Sequence, residues 1–209
     1  MEFAVTAIVT MLVITDPLGN VPFFLALTEG LGVQEQHRIA LRAVMVAAVV
    51  LLAFAFLGQP LLTALGITLE AFRIAGGILL FLVSVDMVFA RQSGIRSVTN
   101  AESREAEARS DVAIFPLAVP LIAGPGAITS VLLLMGEARG SWLNMGVVIA
   151  VVLAVLALGL LLLNLGARLM HRLGVTGVNV IGRISGIILS ALAVQFILDG
   201  LRDVQPALF

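Results

Sequence analysis

The sequence predicts an all-α polytopic membrane protein: six transmembrane helices as two inverted three-helix repeats, with helices 1 and 4 broken. Three observations carry this prediction. The 209 residues are 60% hydrophobic and 12% charged, with a mean hydropathy of +1.14, whereas a soluble domain carries about 25% charged residues. Six apolar segments approach the ~20 residues that a helix needs to cross a bilayer. The second half of the chain also repeats features of the first in the same order.

The six segments are residues 3–27, 39–63, 70–90, 112–135, 142–165 and 180–200. The first starts Met1-Glu2-Phe3 and becomes apolar at once, with no basic n-region or small-residue cleavage site. It is expected to be retained as a span. The connections are short except for 91–111, "RQSGIRSVTNAESREAEARSD", a polar linker whose part from 102 to 109 could form a solvated helix. This gives one transmembrane domain over 1–209, with repeat one at 1–90, a cytoplasmic connection at 91–111 and repeat two at 112–209. Connections 28–38, 91–111 and 166–179, with the helix ends beside them, hold nine arginines against three on the other side. Basic residues favour the cytoplasmic side, so both termini are expected to face outward.

The repeat is visible in particular stretches. "LGIT" at 65–68 matches "LGVT" at 173–176, an offset of 108. "RIAGGIL" at 73–79 matches "RISGIIL" at 183–189, an offset of 110 with five identities in seven. At offset 108, Pro17 falls on Pro125 and Glu29 on Glu137. Three spans per repeat force the second copy to cross in the opposite sense. Inverted repeats with broken helices are a transporter signature, with the substrate site near the midplane.

Span 1 contains Asp16-Pro17-Leu18-Gly19-Asn20-Val21-Pro22. Two prolines withhold N–H groups and a glycine relaxes the backbone, so a straight helix is not expected. The matching span 4 reads "IFPLAVPLIAGPGAITS", with Pro116, Pro120, Gly124, Pro125 and Gly126. Backbone groups freed at such breaks must be buried in protein or line a polar cavity. A half-helix N-terminus at Ala127, Ile128 and Thr129 presents N–H groups to a carboxylate. Asp16, Asn20 or unwound carbonyls suit an ammonium group, so the pair of breaks suits a zwitterion. Phe23, Phe24 and Leu121 are expected to supply apolar walls.

Asp16 is either a local cap on the turn at Gly19 and Asn20 or a cap that also serves the site. Arg73 and Arg183 open spans 3 and 6 at equivalent places and either snorkel to the interface or act as a gate or a charge partner. Asp86, five residues before Arg91, pairs with it or takes part in coupling. Asn164 and Gln195 are read as interhelical hydrogen-bond glue.

Other chemistries have little support. Cysteine is absent, and His37 and His171 fall in polar connections, so no metal site is expected. A net charge of −1 gives no nucleic-acid footprint. No G-x-x-x-x-G-K-[ST] loop is present. An intramembrane aspartyl protease would need facing carboxylates, and Asp86 lies too near the interface to partner Asp16. The protein is therefore not expected to be an enzyme, and no cofactor is expected.

"DPLGNVPFF" at 16–24, "PLAVPLIAGPGAIT" at 116–129 and the "R-I-x-G" starts of spans 3 and 6 resemble the MarC family of integral membrane proteins. The resemblance covers essentially the whole chain. It implies secondary transport of small neutral amino acids such as glycine or alanine, coupled to H⁺ or Na⁺, in a bacterial inner membrane. Asp16, Pro17, Gly19, Asn20 and Pro22 match its first motif; Pro120, Gly124, Pro125, Gly126 and Thr129 match its second. The partners expected are a neutral amino acid and the lipid bilayer, and a homo-oligomer is compatible with the sequence. The alternative is export of other small solutes or drugs, or a channel-like or structural membrane role.

Overall fold

The computed structural model describes residues 2–89 and 113–204, and its regular structure is entirely helical. The elements are α1 (Glu2–Thr15), α2 (Asn20–Leu27), α3 (Val33–Ala64), α4 (Leu69–Val88), α5 (Ala113–Ile122), α6 (Pro125–Glu137), α7 (Trp142–Asn164) and α8 (Gly166–Val204). The 91–111 linker lies outside the described residues. Five stretches are long and apolar enough to cross a membrane: Glu2–Leu27, Val33–Ala64, Leu69–Val88, Trp142–Asn164 and Asn179–Val204. The fourth predicted span is divided between α5 and α6, of 10 and 13 residues, each too short alone.

Local chemistry explains the ends. Thr68 caps α4 by accepting the Ala71 N–H at 3.2 Å, and Ser141 caps α7 by accepting the Asn144 N–H at 3.3 Å. Pro116 and Pro120 withhold two N–H groups within α5. That segment takes the wider π winding and closes with Ala123 N–H donating to Ala118 C=O, five residues back, at 2.8 Å.

Two connections differ from expectation. α3 starts at Val33 rather than near 39, so the polar run "VQEQHR" forms its first turns. The stretch 166–179, expected as a connection, is helical up to a kink at Gly174 (φ 64°, ψ 172°) and again beyond it. Its charges sit on one face: Arg168, His171 and Arg172 are exposed while Met170 packs on the core. Counting polarity without its period hid this helix.

The core is built on close helix contact. α4 and α8 run antiparallel along their length. A Cβ at Gly77 would lie 2.7 Å from Ile197 Cγ1 and 2.8 Å from the Ala193 carbonyl oxygen. One at Gly200 would lie 2.7 Å from Ile74 Cγ1, and one at Gly186 would lie 2.9 Å from Met87 Cβ. Small residues at these crossings let backbones approach where lipid offers no hydrophobic drive to association. α3 packs on α5, α6 and α7, and α1 packs on α6 and α7. Val49, Phe56, Leu57 and Leu143 point outward, as lipid-facing side chains do.

Of the two hydrogen-bonding residues expected between helices, one fits. Asn164 Oδ1 meets His37 Nδ1 at 2.9 Å, tying the start of α3 to the end of α7, while Asn164 Nδ2 donates to Leu160 C=O. Gln195 instead donates to Asp199 on its own helix at 2.8 Å, because four residues bring it round to the same face.

The α4–α8 contact yields a test. Replacing Gly77 with alanine should lower the thermal midpoint in detergent by several degrees, as overpacking costs about 1–3 kcal/mol. Gly146→Ala in α7, where a Cβ meets nothing within 4 Å, should leave it unchanged or slightly higher.

Candidate functional site

The break in the first membrane segment is a compact turn built by Asp16. Its backbone takes a left-handed conformation, φ 44°, which Asp and Asn tolerate better than other side-chain-bearing residues. The carboxylate folds over the following turn, and Oδ1 accepts the Gly19 N–H at 3.2 Å. Any Cβ at Gly19 would overlap that carboxylate. The Asn20 N–H donates to the Asp16 C=O at 3.2 Å, and the Asn20 side-chain amide donates to the Thr15 C=O at 2.9 Å. Pro22 lies in the first turn of α2, where its missing N–H would have had no helical partner.

These bonds leave a residue of unmet acceptors. Thr15 and Asn20 are each 2% exposed. Thr15 Oγ1 and Asn20 Oδ1 are buried without a hydrogen-bond partner among the described residues, as is Ser130 Oγ. Thr15 and Asn20 line a small cavity with Pro17, Val44, Ile122, Val155, Leu156, Gly159 and Leu163. It has room for about one water molecule. Its accessible surface is apolar, and α3, α5 and α7 supply most of it.

The second break is a neighbour of the first. A Cβ at Gly126 would lie 3.4 Å from Ile14 Cγ2 and against Leu80. Gly124 caps α6 in extended conformation, and Pro125 is its exposed first residue. Ile128 N–H donates to Gly124 C=O at 3.0 Å, closing the first turn. The open N–H groups are therefore those of Gly126 and Ala127, one residue earlier than the expected start at Ala127. Thr129 is buried with its methyl against Gly76 of α4, where a Cβ on the glycine would overlap it. Only Ile122 represents the fourth segment in the cavity wall. Pro120 lies in α5, and its side chain is outside the described part.

The remaining candidates lie elsewhere. Asp16 is 6% exposed and turned toward Gly19, so its cap role is met. Arg73 pairs with Glu137 at 2.9 Å and with Asp203 at 3.0 Å, the charge-partner alternative, with both carboxylates exposed. Arg183 is exposed. Asp86 is half-buried near the end of α4, and its expected partner Arg91 lies outside the described residues. Phe24 and Leu121 belong to the apolar core, and Phe23 is 38% exposed; none of the three lines the cavity. Sequence reading missed Thr15, although a hydroxyl beside an Asp-Pro break inside an apolar run was a visible signal. Val155, Gly159 and Leu163 carried no such signal.

Two substitutions test the turn. Asp16→Ala should destabilise the protein more than Asp16→Asn, because asparagine keeps both an acceptor for Gly19 N–H and tolerance of positive φ. The alanine change should cost about 1.5–3 kcal/mol, the scale of a hydrogen bond to a charged group, read as the thermal midpoint in one detergent.

The chain matches the family described as MarC family integral membrane protein over residues 1–205. It is 38% identical over 205 residues to the UPF0056 membrane protein MJ1677 of Methanocaldococcus jannaschii, covering 97% of each chain. It is 35% identical over 207 residues to the UPF0056 membrane protein YvbG of Bacillus subtilis, covering 99% of this chain and 98% of that one. A UPF0056 membrane protein of Aquifex aeolicus is 37% identical over 202 residues, with 95% and 92% covered. No solved structure matches the chain. With a family match and relatives that run nearly its whole length, this chain belongs to the MarC family of integral membrane proteins.

Proposed function

We propose that the protein is a secondary transporter of small neutral amino acids, working by alternating access and coupled to H⁺ or Na⁺. One observation carries the reading: Thr15 and Asn20 line a cavity at a helix break inside an apolar segment, and each holds a buried oxygen, Oγ1 and Oδ1, with no partner among the described residues. An unpartnered polar group costs about 1–3 kcal/mol when buried. A guest with N–H donors recovers that cost, and an ammonium group is such a guest. The open amides of Gly126 and Ala127 beside the first break suit its carboxylate. The apolar remainder of the wall, with Val44, Ile122 and Val155, suits a small uncharged side chain. Room for one water marks a contracted site, so loading requires the break to move. No enzymatic step and no cofactor belong to this reading.

The six-span inverted repeat belongs to the proposal as well. α5 and α6 together make the fourth crossing. The α4–α8 crossing is consistent with a two-fold axis: shifting the Gly186–Met87 contact by the repeat offset of 110 gives Gly76 and Ile197, one residue from the observed Gly77–Ile197 contact. Such an axis lies in the membrane plane. Placement in a bacterial inner membrane with both termini outward completes the reading.

The test is uptake and counterflow of labelled glycine, alanine, serine and threonine in proteoliposomes, with pH and Na⁺ gradients imposed separately. Saturable flux with counterflow is expected. Flux that never saturates would favour a channel, and no flux of any of the four would sink the amino acid reading. Thr15→Val should leave stability equal or higher, since it removes a buried hydroxyl that lacks a partner, while weakening apparent substrate affinity about tenfold, the equivalent of one hydrogen bond of roughly 1.4 kcal/mol.

A further inference from the structure

Arg73 reaches across three helices. It is the least exposed member of its cluster: its side chain is 12% exposed, against 43% for Glu137 and 49% for Asp203. One guanidinium thus fastens the end of α6 and the end of α8 to the start of α4. The same seam is closed by packing, with the Thr129 methyl in the notch at Gly76 and Leu69 against Gly136. The seam lies on one side of the bundle; on the other, His37 and Asn164 tie the start of α3 to the end of α7.

The repeat offsets give each member of the seam a counterpart. Arg73 corresponds to Arg183 at offset 110, and Glu137 corresponds to Glu29 at offset 108. Arg73 and Glu29 belong to the first repeat, and Arg183 and Glu137 to the second. The observed pair therefore joins the two repeats, and its mirror pair is Arg183 with Glu29. That mirror pair is not made: both residues are exposed, and neither has an ion-pair partner among the described residues. The mirror of the Thr129–Gly76 seat would set Val21 against Gly186. Instead, the nearest atoms at Gly186 belong to Met87 and Val88, and Val21 lies against Gly166.

We infer that Arg73–Glu137 and Arg183–Glu29 are alternate latches, one on each side of the membrane, and that closing one accompanies opening the other. The inference rests on the alternating-access reading and adds its positioning residues. The structure has the Arg73 side shut. Asp203 gives that latch a second carboxylate, whereas position 93, its counterpart, is serine. The extra ion pair biases the resting protein toward this state. Exchange to the other state swaps the two repeats' conformations and brings Glu29 to Arg183.

The chain has no cysteine, so introduced pairs report without background. Full-length Glu29→Cys/Arg183→Cys protein in proteoliposomes is treated with a short bifunctional thiol reagent. The yield of internal cross-link is then compared with and without Arg73→Gln. Arg73→Gln should raise the yield about two- to fivefold, the range expected from losing exposed ion pairs. Arg73→Lys, which keeps the charge, should return most of it. Should Arg73→Gln fail to fold, the isosteric Glu137→Gln/Asp203→Asn double variant repeats the test from the exposed partners. A yield that stays flat or falls, or no cross-link in any background, overturns the inference. The readout needs no substrate, so the two readings fail separately. A raised yield without solute flux keeps the latches and removes the amino acid; saturable flux with a flat yield keeps the transporter and removes the latches.

Discussion

A backbone amide or carbonyl released inside an apolar segment has no water to turn to. The first membrane segment releases several at once, between Thr15 and Asn20, and the arrangement around it follows from finding partners for them. Asp16 takes a left-handed backbone so that its carboxylate can reach the Gly19 N–H. Gly19 must lack a side chain because the carboxylate occupies that space. Asn20 turns its amide back to the Thr15 carbonyl. This places three conspicuous residues in a structural role and leaves the unmet acceptors on Thr15 and Asn20, at the cavity wall.

The second constraint is close approach. α4 and α8 touch at Gly77, Gly186 and Gly200, where the partner's atoms fill the volume a Cβ would need. α6 joins the same block through Gly76, Gly126 and Gly136. α3 also turns small residues inward, with Ala40, Ala43, Ala47, Ala55 and Gly58 buried, and Leu132 of α6 fills the space at Gly58. The cavity lies against α3 and α7.

The fold was legible where one feature dominated a segment. Span positions followed from hydropathy, and both breaks followed from proline and glycine spacing. Asp16 as a cap was legible because an acid before Pro-x-Gly has few other uses in an apolar run. Charge partners were not legible. Arg73 meets Asp203, 130 positions away, and no local pattern carries such a pairing. The cavity wall from α7 was hidden for the opposite reason: Val155 and Leu156 look like every other apolar residue in that helix. The helix from 166 was missed because a polar face was read as a polar segment. The open amides of the second break were placed one residue late because Gly124 caps α6.

α3 runs for 32 residues and α4 for 20. At about 1.5 Å per residue the two are roughly 48 Å and 30 Å long, and a hydrocarbon layer is about 30 Å thick. A helix of α4's length can stand upright in it. α3 must lean or protrude, and how far it leans depends on the thickness of the lipid around it. Through His37 and Asn164 the foot of α3 is tied to the end of α7, and these two helices supply Val44, Val155, Leu156, Gly159 and Leu163 to the cavity. The shape of the cavity is thereby geared to the membrane itself, so that acyl-chain length becomes one of the variables that set how the wall closes.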